Sequence, residues 1–259
     1  MKKSVKLIIF IIIIMSIIFI YGRFINTKGL KTYEYGIVDK NLPESFNGLK
    51  IVHFGSILFG RTTTISDINN VVKEINNINP DIVIYDGDLY EINIDIIDKD
   101  KNKIIESLKK INSKMGKYAI SGDNDKKDYG DILKKADFTI LDNTEVKLYN
   151  GDNNPIILTN DFSKSNETYT IGIIHKPDDI DKINHESVNI ILAGHSLRGQ
   201  IRIPFYGALL KRDGAKKYVD DKFTVHNTLL YISGGIGTHD IGIRIKNPPS
   251  INFYRLSNR

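Results

Sequence analysis

Cysteine is absent from all 259 residues, which excludes disulfides, iron–sulfur clusters and thiolate metal sites. Acidic residues are missing from one stretch: residues 1–28 carry five Lys or Arg and no Asp or Glu. The whole chain has 36 basic and 31 acidic residues, so its formal charge of +5 belongs to that segment and the remainder is balanced. The basic character therefore gives no support for nucleic-acid binding, and no nucleic-acid partner is expected. Internal repeats and long low-complexity tracts are also lacking, and 41% hydrophobic content at this length fits one sizeable core.

The acid-free segment is apolar over 7–21 apart from Ser16, with Lys2, Lys3 and Lys6 before it and Arg23 and Lys28 after it. At about 1.5 Å per residue that run covers roughly 22 Å against a hydrocarbon core of about 30 Å, so Gly22 to Ile25 must extend it. The junction Tyr21-Gly22-Arg23-Phe24-Ile25 offers no small residues for cleavage, which favours an uncleaved signal anchor over its rival, a cleaved signal peptide. The expected division is an anchor at 1–28 meeting the bilayer through residues 7–25, a linker at 29–47 and one domain at 48–259. The lysines before the span keep the N-terminus cytoplasmic. A single-pass protein of the cell membrane with an extracytoplasmic domain is expected.

Short apolar runs at 49–54, 81–85 and 117–121 read as buried strands, and the helix-period positions Ile65, Ile68, Val71, Val72 and Ile75, then Ile104, Leu108 and Ile111, alternate with them. From Phe138 onward strands dominate: 138–141, 145–149, 155–159, 169–174, 188–193, 200–203, 229–233 and 251–256. An α/β half followed by a β-rich half predicts two packed mixed β-sheets flanked by helices, plus the N-terminal membrane helix.

Each polar motif directly follows a strand. These are His53-Phe54-Gly55-Ser56-Ile57-Leu58, Gly87-Asp88-Leu89-Tyr90-Glu91, Gly122-Asp123-Asn124-Asp125, Ile174-His175 and Gly194-His195-Ser196-Leu197-Arg198-Gly199-Gln200. Ligands of open α/β sheets bind at the carboxyl edge. Two acids and two histidines there suit a divalent ion such as Mn, Fe or Zn, since carboxylate oxygen and imidazole nitrogen are their preferred donors. The alternative is that these groups cap helices and satisfy loops.

In order and spacing these motifs, with Ser233-Gly234-Gly235-Ile236-Gly237-Thr238 near the end, resemble the calcineurin-like metallophosphoesterases, closest to a membrane-associated bacterial branch. The resemblance covers nearly all of 48–256. It implies that a first metal would be held at the positions occupied here by Ser56, Leu58, Asp88 and Leu197, and a second at those of Asp88, Asp123, His175 and His195. Leucine has no lone pair to give, so the first site keeps only Asp88, while the second retains four competent ligands. The resemblance also places the family's catalytic histidine at Asn124, whose amide cannot titrate near neutral pH. A two-metal bridging hydroxide is then unavailable.

The expected function is that of a weakly active or inactive phosphoesterase, a pseudoenzyme holding one divalent ion and a phosphate-containing ligand. The alternatives are a divergent single-metal phosphohydrolase acting on lipid-linked or envelope phosphate esters, and an envelope protein with no ligand. Arg198 beside Leu197 is either a solvated loop arginine or a cation substituting for the lost ion. Asp86 and Glu91, flanking Asp88, are expected as surface acids, with added metal ligands as the alternative; His53 is expected as a satisfied core residue, His185 and His226 on the surface, and His239 either as an ordinary loop residue or as a ligand contact at the rim.

Overall fold

A computed structural model describes residues 3–165 and 167–259. Met1 and Lys2, part of the expected anchor, lie outside the described residues. Helix α1 (Lys3–Ile20) runs into a π-helical stretch, Tyr21–Ile25, and buries no side chain. Together the 23 residues extend to about 35 Å, enough to cross a bilayer. Gly22 is where the helix meets the domain: the Arg244 N–H donates to its carbonyl at 3.1 Å, and a Cβ there would collide with Ile243.

The elements that follow are β1 (Lys31–Val38), β2 (Lys50–Phe54), α2 (Ile65–Ile78), β3 (Ile82–Tyr85), α3 (Asp98–Lys109), β4 (Lys117–Ala119), α4 (Tyr129–Lys135) and β5 (Phe138–Ile140). Then come β6 (Glu145–Leu148), β7 (Ile156–Thr159), β8 (Thr170–Ile174), β9 (Ile190–Ala193), β10 (Arg202–Ile203), β11 (Gly207–Ala208), β12 (Lys222–Val225), β13 (Thr228–Ile232) and β14 (Ser250–Ser257). Twelve of these strands build two six-stranded sheets, ordered β1-β14-β2-β3-β4-β5 and β12-β13-β9-β8-β7-β6, and β10 and β11 pair with each other as an antiparallel hairpin.

Alternation along each strand divides the apolar side chains between layers. Val52 and Phe54 of β2 and Val83 and Tyr85 of β3 join the core beneath α2, α3 and α4, whereas Ile51, Ile82 and Ile84 join Leu158, Ile171, Ile173 and Leu192 between the sheets. The outer face of the second sheet packs Ile191, Ala193, Leu230 and Ile232 against Ile180 and Tyr218. Helix α2 starts at a reciprocal cap, in which the Thr64 hydroxyl accepts from the Asp67 N–H while the Asp67 carboxylate accepts from the Thr64 N–H.

One expected linker is instead structured. Residues 31–38 form an edge strand parallel to β14, with Lys31 opposite Ser250 and Val38 opposite Ser257. An edge strand buries little, and among its residues only Ile37 is buried. That leaves almost no apolar signal for a sequence reading to find.

Candidate functional site

Strands β2, β3 and β4 are mutually parallel, as are β8, β9 and β13. Their following loops meet at one edge, where Ser56, Leu58, Asp88, His195 and Leu197 all have positive φ between 45° and 60°. Such left-handed backbone costs a non-glycine residue of order 1 kcal/mol or more and gathers at functional sites. Glycine is needed where loops cross: a Cβ at Gly122 would lie 2.5 Å from the Asp88 nitrogen and 2.7 Å from His175 Cε1.

Asp88, His175 and His195 converge, each offering one ligand atom within 4.8 Å of the other two. His175 Nε2 is 3.4 Å and His195 Nδ1 3.7 Å from Asp88 Oδ2, and the two ring nitrogens are 3.2 Å apart. The opposite nitrogens settle the tautomers, because carbonyl oxygens only accept: His175 Nδ1–H donates to Asp86 O at 2.7 Å and His195 Nε2–H to Asp213 O at 2.9 Å. In the neutral rings this leaves three acceptors aimed at one point, the arrangement in which outer hydrogen bonds orient imidazoles toward a cation.

Electrostatics make the same point. Burial works to raise the Asp88 carboxyl, but the hydrogen bonds of His175 and His195, the charge of His175 and the Asn124 N–H together hold it well below the usual carboxylate range. Burial also opposes protonation of His175, yet Asp88 and the Asp86 carbonyl raise it to about 9. A positive charge, whether proton or metal, is what this cluster favours.

Asp123 does not join the three. Its carboxylate is ion-paired to Lys176 Nζ at 2.6 Å and is 47% exposed. The adjacent Asn124 N–H donates to Asp88 Oδ1 at 2.9 Å, and Asn124 Nδ2 is a buried donor with no partner. Asp125 accepts from the N–H groups of Asp88, Leu89 and Gly122, tying the loops after β3 and β4 together. Burial, against those three donors, pushes its carboxyl up to about 7.

On the other side of Asp88 the loops are packed with apolar side chains. Leu58 and Leu197 are fully buried, the Ser56 hydroxyl is buried without a partner, and a Cβ at Gly237 would come within 2.6 Å of Leu58 Cβ. Arg198 is neither solvated nor paired with Asp88. It is 6% exposed, donates to Ile232 O, Asn252 Oδ1 and the Tyr35 hydroxyl, and lies over the Tyr33 ring. Its left-handed φ of 48° turns the side chain into the core from a loop position. Fully buried Arg244 holds the loop after β13 by donating to the carbonyls of Gly234, Gly235 and Gly237.

Asp86 and Glu91, expected at the surface, are buried. Asp86 Oδ2 is 2.8 Å from His53 Nε2 and accepts from Ser233 Oγ at 2.7 Å. Glycines at 55 and 194 make room for it, since a Cβ at either would overlap the carboxylate. Glu91 accepts from Arg61 Nε at 2.6 Å. His53 is a satisfied core residue, with Nδ1 3.2 Å from the Tyr254 hydroxyl. His185 is also buried, 2.9 Å from Thr228 Oγ1, while His226 is exposed.

A cleft of about 570 Å³ opens beside the cluster, lined by Asp123, His195, Gln200, Leu210, Arg212 and His239 among others. Burial, with Arg212 nearby, lowers His239 to about 3, keeping that ring neutral. Sequence reasoning assigned no role to Lys176, Asp213 or Gln200. The first is adjacent to a motif histidine, but the Asp213 contact runs through its backbone carbonyl, which no residue type signals.

No protein-family profile matches the chain. It is 28% identical over 255 residues to the uncharacterized metallophosphoesterase YkuE of Bacillus subtilis, spanning 91% of this chain and 88% of that protein. It is 22% identical over 279 aligned positions to a zebrafish transmembrane protein with metallophosphoesterase domain, covering 93% of this chain and 60% of the relative. With the uncharacterized metallophosphoesterase Cj0846 of Campylobacter jejuni it shares 26% identity over 272 positions, 96% of this chain and 69% of that one.

Proposed function

Because the chain belongs to the calcineurin-like metallophosphoesterase family, we propose that it binds one divalent ion at Asp88, His175 and His195 and there holds a phosphate-containing ligand, with hydrolysis weak or absent. The observation that carries this reading is the convergence of three acceptors whose imidazoles are each locked by a backbone carbonyl. Mn, Fe or Zn suits that donor set. When bound, such an ion supplies a Lewis acid for a phosphoryl oxygen.

The chain's own groups limit the chemistry. Ser56, Leu58 and Leu197 offer no ligand set for a second ion, and their burial supports a lost first site rather than an open one. Arg198 spends its donors on the core and does not replace the missing charge. Asn124 Nδ2 can donate to a ligand oxygen but cannot deliver a proton to a leaving group. Asp123 would join the ion only by leaving Lys176.

In the same reading α1 is an uncleaved single-pass anchor in the cell membrane, with the domain on the outer side. Its length, its exposed apolar surface and the likeness to a transmembrane relative support this. Metal analysis of the purified full-length protein, combined with turnover of a generic phosphodiester, tests the site. One equivalent without metal-dependent turnover is expected. Two equivalents sink the reading, and one equivalent with robust turnover replaces it by a divergent single-metal phosphohydrolase acting on lipid-linked or envelope phosphate esters. Release of the full-length protein from membranes by an alkaline carbonate wash would remove the anchor.

A further inference from the structure

Outside α1 and its π-helical end, the exposed large apolar side chains concentrate in one stretch: Ile203, Phe205, Tyr206, Leu209 and Leu210. This is the small hairpin formed by β10 and β11 together with the residues just after it. Phe205 at its tip is 111% exposed and, with φ of 67°, is held outward in a tight turn. Single exposed apolar residues are ordinary, but a contiguous aromatic and aliphatic cluster marks a contact surface.

The position of the hairpin identifies what it contacts. Its first strand is bonded to Ile245, with the Arg202 N–H donating to Ile245 O at 2.9 Å, and Leu209 N–H returns to Ile201 O at 2.8 Å. Residue 245 belongs to the same short segment on which Gly22 sits at the foot of the N-terminal helix. The tip is three residues beyond Arg202, on the order of 10 Å at strand rise. A bilayer crossed by α1 therefore lies within reach of the hairpin. Exposed Ile241 is on the same segment, and Lys211 and Lys246, exposed and without an ion-pair partner among the described residues, flank the apolar patch.

We propose that the 202–210 hairpin is a second membrane contact: Phe205 and Tyr206 enter the interface between headgroups and acyl chains, while Lys211 and Lys246 lie at phosphate level. Aromatic side chains favour that depth, and each basic residue near an anionic surface adds roughly 1 kcal/mol. Leu209, Leu210 and Lys211 also line the cleft beside His195. The hairpin so seated turns the cleft mouth toward the bilayer surface, and a ligand phosphate carried by a lipid needs no transit through bulk water. The proposal rests on the anchor reading of α1 and is independent of whether a metal binds.

The chain contains no tryptophan, so Phe205→Trp, Tyr206→Trp and the control Tyr149→Trp each yield a single reporter in the full-length protein. Each is reconstituted into phosphatidylcholine–phosphatidylglycerol vesicles, with and without lipids brominated near the acyl-chain carbonyls. Emission from position 205 or 206 should be blue-shifted and quenched about twofold by bromine, as for an interfacial ring, with position 149 unaffected. Co-flotation with water-like, unquenched emission at both 205 and 206 overturns the hairpin contact and leaves the anchor standing. A blue shift without quenching also overturns it, placing the loop against protein, such as a second copy. Failure of the full-length chain to float with vesicles overturns both readings.

Discussion

The two sides of Asp88 share a backbone and differ in side chains. On one side His175 and His195 converge on its carboxylate; on the other, Leu58 and Leu197 fill the corresponding space and Ser56 keeps a buried hydroxyl without a partner. Yet Leu58 and Leu197 hold φ of 47° and 48°, near the 59° of His195 and rarer for leucine than for histidine. Similar left-handed loop geometry thus occurs on both sides, whether or not the residues offer a ligand atom. The hydrogen-bonded loops and their glycines determine the backbone here, so the same backbone carries polar side chains on one side and core side chains on the other.

The comparison breaks most visibly if the polar side is not a metal site. His175→Ala or His195→Ala should lower affinity for Zn or Mn by at least about 100-fold, because each removes a ligand oriented by its own outer hydrogen bond. Titration calorimetry on full-length protein reads this directly, and unchanged binding in both variants would dissolve the distinction between the two sides. The next largest effect comes from making the apolar side resemble the polar one. Ser56→Asp, Leu58→His, Leu197→His and Asn124→His together bury new polar groups and should destabilise the metal-free protein by about 2–5 kcal/mol. Added Mn should then raise the melting temperature of this variant more than that of the parent. No recovery with metal would mean that the loops no longer hold ligand geometry.

A smaller effect sharpens the polar side. His239 has its pKa lowered to about 3 when folded against about 6.5 unfolded, so the unfolded chain binds the extra proton between those values. The stability derived from keeping this ring neutral is present above pH 6.5 and is lost as pH falls toward 3. Chemical denaturation at pH 7 and pH 5 should show a shallower acid loss in His239→Gln than in the parent; parallel loss contradicts the burial argument. The smallest change is expected at Asp123, which pairs with Lys176. Asp123→Asn should alter metal affinity by less than about threefold, as suits a partly exposed ion pair, and a tenfold loss would make it a ligand after all.

Much of the architecture was legible because strand ends carry their own punctuation. The apolar runs at β2, β3, β8 and β9 stop at Gly or His motifs, which put Asp88, His175 and His195 at strand ends, whereas their meeting at one edge depends on the parallel strand order that the structure supplies. What escaped the sequence was direction and partner. Asp123 sits in the expected loop but points toward Lys176, and Arg198 points inward because a left-handed φ turns it there. Asp86 and Glu91 read as surface acids because residue type says nothing about a buried His53 or an arriving Arg61. Strand β1 was hidden for a different reason: its bonds are backbone bonds at a sheet edge, and its side chains scarcely reach the core.

That strand has a further consequence for assembly in time. Lys31 pairs with Ser250 and Val38 with Ser257, so the first strand of the domain waits for the last, with nearly the whole chain made in between. Pairings this distant in sequence are slow to close. Until β14 arrives β1 is an unpaired edge, and its alternation of polar with tyrosine side chains, rather than an apolar run, limits mispairing. Pulse-labelled hydrogen exchange during refolding should find the amides of residues 31–38 protected last; early protection would mean that β1 and β14 pair before β14 joins the rest of its sheet. Strand β1 thus acts as a latch on β14, joining the two sequence-distant ends of the sheet.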